Sequence, residues 1–196
     1  LPFYGGLGEP HDFLILFLNN AELRPGGGFI GAYGELTMFN GDIRTLETKD
    51  VYGLDGAAAS AITKTAPEPL RRYNAADKWF LRDANWSPDF AVSAKDVLER
   101  YTIETAATGQ TKLAQGVIGF TPTFASELLA MTGPVTVRGQ TFTKENVFDK
   151  LEYQVEYGYA GQDIPLAQRK DILADLVNAL KERLYALPLS QWPDVF

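Results

Sequence analysis

The run DFLILFL, residues 12–18, places six apolar residues in unbroken succession after one acid. It is too short for a typical helix and lacks the alternation of a strand with one wet face, so it predicts a strand buried on both sides of a sheet. Leu1 to Pro10 (LPFYGGLGEP) leads into it as a Gly- and Pro-rich loop, and Asn19 to Gly28 (NNAELRPGGG) breaks all periodicity after it. Phe29 to Phe39 (FIGAYGELTMF) is extended again, with small residues at Gly31, Ala32 and Gly34 where something can approach closely. Asn40-Gly41 is a strong hairpin signal. The return strand is Ile43 to Val51, with Ile43, Thr45 and Glu47 on one face and Arg44, Leu46 and Thr48 on the other.

Further out, Tyr52 to Ala76 reads as irregular, with an Ala-rich piece at Ala57 to Ile62 and a short helix from Pro67 to Tyr73. Ser93 and Asp96 resemble a capping box ahead of an apolar helical face of Val97, Leu98 and Tyr101. Gln115 to Thr121 is another apolar strand, Pro122 to Met131 a helix with Phe124, Leu128 and Leu129 inward, and Val135 to Val137 a short strand after Gly133-Pro134. Thr143 is placed to cap a helix carrying Val147, Leu151 and Val155. Pro165 opens the clearest helix, with Leu166, Ile172, Leu173, Leu176, Val177, Leu180 and Leu184 on one stripe and Lys170, Asp171, Asp175, Lys181 and Glu182 off it. Sheet in the first half and helices in the second predict an α/β class: a single domain over residues 1–196 with a mixed central sheet flanked by helices.

At 196 residues, the chain is long enough to bury a substantial core. Lys and Arg number 18 against 25 Asp and Glu, a net charge of −7, which excludes a phosphate-backbone reader of nucleic acid. With no Cys, disulfides, thiolate chemistry and Cys-ligated zinc are all excluded, and the compartment stays undecided. Nothing in the sequence is apolar for long enough to span a membrane. The first residue is Leu1 and not Met, so the chain reads as a fragment of a longer protein.

Trp79 to Phe90 (WFLRDANWSPDF) is the stretch most suggestive of function, being too polar for a core element and too aromatic for a solvated loop. It predicts an ordered loop where an anion or polar headgroup meets an apolar wall. Gly26, Gly27 and Gly28, with Phe29, Ile30 and Gly31, formally match the dinucleotide pattern, but a β-rich segment follows where a helix must begin, so a dinucleotide site is rejected. The same glycines can form an anion-binding concavity beside Arg24, and Arg24 with Arg82 can clamp a phosphate. The structural alternative has Arg24 paired with Glu22 or Glu35, Arg82 paired with Asp83, and Asp89 as a cap or turn residue. Asp83 and Asp89, with Asp50 or Asp55, are candidate oxygen ligands for Mg²⁺. Trp79, Phe80, Trp86 and Phe90 line a groove on one view and enter the core on the other. His11 is the sole histidine and supports neither a triad nor a multi-His metal site. Asn85-Trp86-Ser87 is a formal glycosylation sequon, meaningful only in a secreted eukaryotic protein.

Several blocks carry a resemblance. NNAELRP at 19–25, GGFIG at 27–31, DVY at 50–52, LRDANWSPDF at 81–90, GVIGF at 116–120 and LLAMTGPV at 128–135 resemble the bacterial domain of unknown function family 4012. That resemblance implies an exported, extracytoplasmic domain tethered by an upstream membrane anchor, with no implied activity. A fainter similarity, in the order of elements, is to the LytR-CpsA-Psr proteins, which transfer glycopolymers from polyprenyl-pyrophosphate carriers in the cell envelope. It implies an architecture of that type, with Arg24, Arg82 and Asp83 as catalytic residues. Gly26, Gly27, Gly28, Asn85, Trp86 and Asp89 would contact the phosphate-linked precursor, and Asp83 and Asp89 would hold Mg²⁺. Where that family has Ser-Asp-Thr after the first Arg, this chain has Pro25 and glycines, so one metal-binding Asp is missing. Two functions follow from the sequence: binding, with or without transfer, of a polyprenyl-carried precursor, or a non-catalytic interaction module of the cell surface.

Overall fold

A computed structural model describes residues 3–158, 168–188 and 190–191. The chain divides into two compact units, Leu1–Phe120 and Thr121–Phe196.

The first unit is built on four strands: β1 (His11–Asn19), β2 (Phe29–Phe39), β3 (Asp42–Asp50) and β4 (Gly116–Phe120). Their order across the sheet is β3-β2-β1-β4, with β1 antiparallel to β2 and parallel to β4, so the sheet is mixed. β1 lies inside the sheet and buries Phe13 to Leu18 on both faces, as the unbroken apolar run requires. Asn40 and Gly41 both take positive φ, the geometry that suits a two-residue hairpin between twisted strands. The alternation expected along the return strand is interrupted. Ile43 pairs with Met38 and Thr45 with Thr37, leaving Arg44 as the extra residue of a β-bulge.

One face of the sheet presents Leu14, Leu16, Leu18, Ile30 and Tyr33. Three pieces cover it: α1 (Val51–Ala58) through Val51 and Leu54, a 3₁₀ turn at Leu81–Asp83 with Ala84 behind it, and α3 (Phe90–Ala107) through Val97 and Tyr101. Helix α1 stands where irregular chain is expected, and the Asp50 carboxylate starts it by accepting the Tyr52 amide at 3.0 Å. α2 (Glu68–Asn74) begins after Pro67 as expected and closes a satellite core of Ala66, Leu70 and Ala76, against which Trp79 and Trp86 pack. α3 starts earlier than the Ser93 capping box implies. Its cap is Asp89, whose carboxylate accepts the Ala91 amide, and Ser93 is buried inside the first turns.

In the second unit, α4 (Pro122–Thr132) buries Ala125, Leu128 and Leu129. Phe124, expected inward, is half exposed. A hairpin of β5 (Val135–Val137) and β6 (Gln140–Phe142) follows, then α5 (Val147–Tyr153), which continues as a π-helical turn at Gln154–Gly158. α6 (Asp171–Tyr185) buries Ile172, Leu173, Ala174, Leu176 and Leu180, and Lys170, placed off the stripe by sequence, is itself buried. The expected helix start at Pro165 and Leu166 lies outside the described residues.

Candidate functional site

Chain geometry brings the β1–β2 loop against the aromatic stretch. Gly26 donates its amide to the Asn85 carbonyl at 3.0 Å, and the buried Asn85 side chain donates to the carbonyls of Gly28 at 2.7 Å and Gly26 at 3.4 Å. The contact tolerates no side chain: a Cβ on Gly26 would lie 2.5 Å from the Asn85 carbonyl oxygen, and one on Gly28, at φ +133°, would lie 2.4 Å from that of Asn19. The glycines therefore serve a close backbone packing. Gly27 also turns its amide inward, onto the Arg24 carbonyl.

Arg24 Nε donates to Asp83 Oδ1 at 2.9 Å, and its guanidinium lies 5.1 Å from the centre of the Phe29 ring. Arg82 Nη1 donates to Asp55 Oδ2 at 2.9 Å, and its Nε stands 3.5 Å from Asp83 Oδ2. The Arg82 guanidinium is flanked by the rings of Phe80 at 4.8 Å and Tyr52 at 5.4 Å. Asp83 thus has one oxygen against each arginine, and its backbone carbonyl accepts the Trp79 indole N–H at 2.9 Å. Arg24 takes Asp83 as partner, in place of the expected Glu22 or Glu35. The pairing of Arg82 with Asp83, raised as the structural alternative, is present, with Asp55 added.

At the other end of the stretch, Ser93 Oγ bonds both the amide and the carbonyl of Ser87. Ser87 Oγ accepts the Asp89 amide, and Asp89 Oδ1 caps α3. Trp86 is half-buried against the satellite core. Mg²⁺ does not fit this arrangement: both Asp83 oxygens face guanidinium groups, and Asp89 is a helix cap. Among the described residues no group of three or more His, Cys, Asp or Glu side chains is placed to hold a metal ion.

Beneath the stretch lies a carboxyl pair of which the sequence reading names only Asp55. Glu104 of α3 is fully buried and Asp55 of α1 nearly so, at 0% and 1% exposure. Glu104 Oε1 accepts the Leu81 amide at 2.7 Å, fixing the 3₁₀ turn. The two carboxyls lie close enough to act on each other, and Asp55 Oδ1 and Glu104 Oε2 are buried with no hydrogen-bond partner. Burial pushes both above the usual carboxylate range, and for Glu104 the Asp55 charge adds to the effect. A signal for Glu104 did exist: the spacing Val97, Tyr101, Glu104 puts it on the buried stripe of its helix.

A second charged cluster sits at the opposite end of the same sheet face, where Asp12 faces Thr37 in the register. Glu35 accepts from Tyr101 Oη at 2.8 Å, from Lys49 Nζ at 2.8 Å and from Lys112 Nζ. Burial raises Glu35, but the two ammonium groups and the phenol outweigh it and hold the carboxyl below its usual range. Around this cluster opens a groove of about 380 Å³ lined by Asp12, Glu35, Thr37, Glu47, Tyr101 and Lys112. None of these residues is among the site candidates named from sequence.

No helix among the described residues is long and apolar enough to cross a membrane. No curated protein and no solved structure matches the chain. A family model does match, over residues 8–156, a span that contains the whole sheet, the glycine loop and the aromatic stretch. The chain belongs to the family described as protein of unknown function (DUF4012).

Proposed function

We propose that this domain is a non-catalytic interaction module of the bacterial cell surface, in which the stretch from Trp79 to Phe90 is a structural staple. One observation supports this most: the groups a phosphate would need are engaged inside the unit. Arg24 and Arg82 are paired with Asp83 and Asp55, Asn85 holds the glycine loop, and Asp89 caps α3. A phosphate at the two arginines would compete with carboxylates already there. Breaking a buried pair costs about 3–5 kcal/mol, which the ligand would have to supply before any net affinity appeared. The absent Asp after Arg24 argues in the same direction against LytR-CpsA-Psr-like transfer chemistry. The extracytoplasmic, membrane-anchored setting is taken from the sequence resemblance.

Arg82→Ala tests the reading. As a staple, Arg82 contributes about 2–3 kcal/mol, so its removal lowers Tm by roughly 5–10 °C. In the same experiment the unsubstituted domain shows no more binding to vesicles carrying undecaprenyl phosphate, with Mg²⁺ present, than to vesicles without it. An unchanged Tm, together with carrier binding that the substitution abolishes, would put the polyprenyl-linked precursor in place of the interaction module.

A further inference from the structure

Asp55 and Glu104 present a problem of proton accounting that ionised carboxylates cannot solve. Each uses one oxygen conventionally: Asp55 Oδ2 accepts from Arg82 and Glu104 Oε1 accepts from the Leu81 amide. The other two oxygens, Asp55 Oδ1 and Glu104 Oε2, are buried and have no donor. An ionised carboxylate only accepts, so two of them in contact repel. With one proton between them, one becomes a donor and the contact is a hydrogen bond.

Counting charge gives the same answer. Arg24 and Arg82 are two cations against three carboxyls, Asp83, Asp55 and Glu104. The groups facing the pair are Arg82 and Asp83 from the 3₁₀ turn, Tyr33 from β2, and Arg100 from α3. Arg100 is already paired with Glu99. Electroneutrality in the buried cluster thus calls for one neutral carboxyl, and Glu104, whose only facing cation, Arg100, is already paired with Glu99, is that group.

We propose that Asp55 and Glu104 hold a single proton between them, and that this proton locks the aromatic stretch to α1 and α3. Its loss leaves two like charges in contact inside the core. Arg100, one turn back on α3, carries a buried Nε with no acceptor and is the alternative partner for an ionised Glu104. When Glu104 turns to it, the Leu81 amide loses its acceptor, and the 3₁₀ turn carrying Arg82 and Asp83 comes free of α3. The lock is independent of the interaction-module reading.

The sign follows from linkage. A carboxyl raised in the folded state keeps a proton that the unfolded chain releases, so stability falls as pH rises above the ordinary carboxylate range and levels off once the folded pair deprotonates. In that window the unfolding constant grows roughly tenfold per pH unit for one such group. Thermal unfolding from pH 5 to 9 at fixed ionic strength, compared with Glu104→Gln, reads this directly. The glutamine carbonyl still accepts from Leu81 and its NH₂ donates to Asp55. We expect the Tm of the unsubstituted protein to fall relative to the variant by several degrees across the range. Infrared spectroscopy of the unsubstituted protein at pH 7, which needs no variant to fold, should show a protonated-carboxyl stretch that disappears at alkaline pH. Parallel pH profiles, or no protonated-carboxyl band at pH 7, overturn the proposal.

Discussion

The two charged clusters on the inner sheet face use the same parts to different effect. Asp83 with Arg24 and Arg82, and Glu35 with Lys49 and Lys112, are each a carboxylate between two cations contributed by distant parts of the chain. At the Asp83 end the cations are guanidiniums, planar and flanked by Phe29, Phe80 and Tyr52, and a further carboxyl pair lies beneath them. At the Glu35 end the cations are ammoniums on flexible stems, about a third exposed, and Lys112 lines a groove. Arginine suits the closed cluster because its fork can hold a carboxylate while its face packs on rings. Lysine suits the open one, where the charge stays partly hydrated. The closed end builds the fold, and the open end keeps its charges partly exposed beside a groove.

If that contrast is right, the closed cluster is the one that cannot lose a member. Asp83→Ala leaves Arg24 without its carboxylate and Arg82 with Asp55 alone, in a site where the Asp83 side chain is only 6% exposed. The expected loss is about 3–5 kcal/mol, a Tm drop on the order of 10 °C in thermal unfolding, with Asp83→Asn intermediate. A loss below about 1 kcal/mol would mean that both arginines find water easily and that the cluster is open after all. Next in size is Gly26→Ala. The new Cβ would fall 2.5 Å from the Asn85 carbonyl, so the loop or the stretch must shift, at a cost of about 1–3 kcal/mol by overpacking. Chemical denaturation measures it. Stability equal to that of the unsubstituted protein would show that the loop is loosely seated and restore the glycines as candidates for contact with an anion.

Much of this architecture was legible because it is local. The six apolar residues after Asp12, the Asn40-Gly41 turn and the Pro67 helix start each declare themselves within a few positions. Helix α1 did not, because Gly53 and Gly56 lower its propensity and make Asp50 to Gly56 read as a corner, although Asp50 is a sound cap. Ser93 outshone Asp89 as a cap because the capping-box spacing is a stronger pattern than a lone Asp after Pro88. Arg24 and Arg82 stand out in the sequence, either as a phosphate clamp or as members of ion pairs, but most of the pairing is not legible there. Their partners lie 59 and 27 residues away in the chain, and no periodicity links Arg24 to Asp83 or Arg82 to Asp55. Glu35 stands out only as a partner for Arg24, and Glu104 not at all, because an acid on an inward face is visible only when the face is read as inward, as the Val97, Tyr101, Glu104 spacing allows.

Asp89→Ala separates capping from ligand binding at a smaller scale. Losing the bond from the Ala91 amide costs about 1 kcal/mol at an exposed helix start, and helix content by circular dichroism should change little. A loss of 3 kcal/mol or more would mean that Asp89 does something beyond starting α3.

The smallest effect belongs to the open cluster, and it is the sharpest check on the contrast. Glu35→Gln removes the charge between Lys49 and Lys112 but keeps an acceptor for Tyr101. Because both ammoniums are about a third exposed and can hydrate, the expected loss at neutral pH is about 1 kcal/mol or less, and it shrinks further in high salt. Its pH dependence runs opposite to that of the Asp55–Glu104 pair. Glu35 is held below the usual carboxylate range in the folded state, so its contribution is present above that range and lost as pH falls through the folded value. Unfolding curves for Glu35→Gln and the unsubstituted protein should therefore converge on acidification, while those for Glu104→Gln and the unsubstituted protein diverge on raising the pH. A Glu35→Gln loss as large as that of Asp83→Ala, insensitive to salt, would mean that the lysines are held as tightly as the arginines and that the groove is part of the fold's interior.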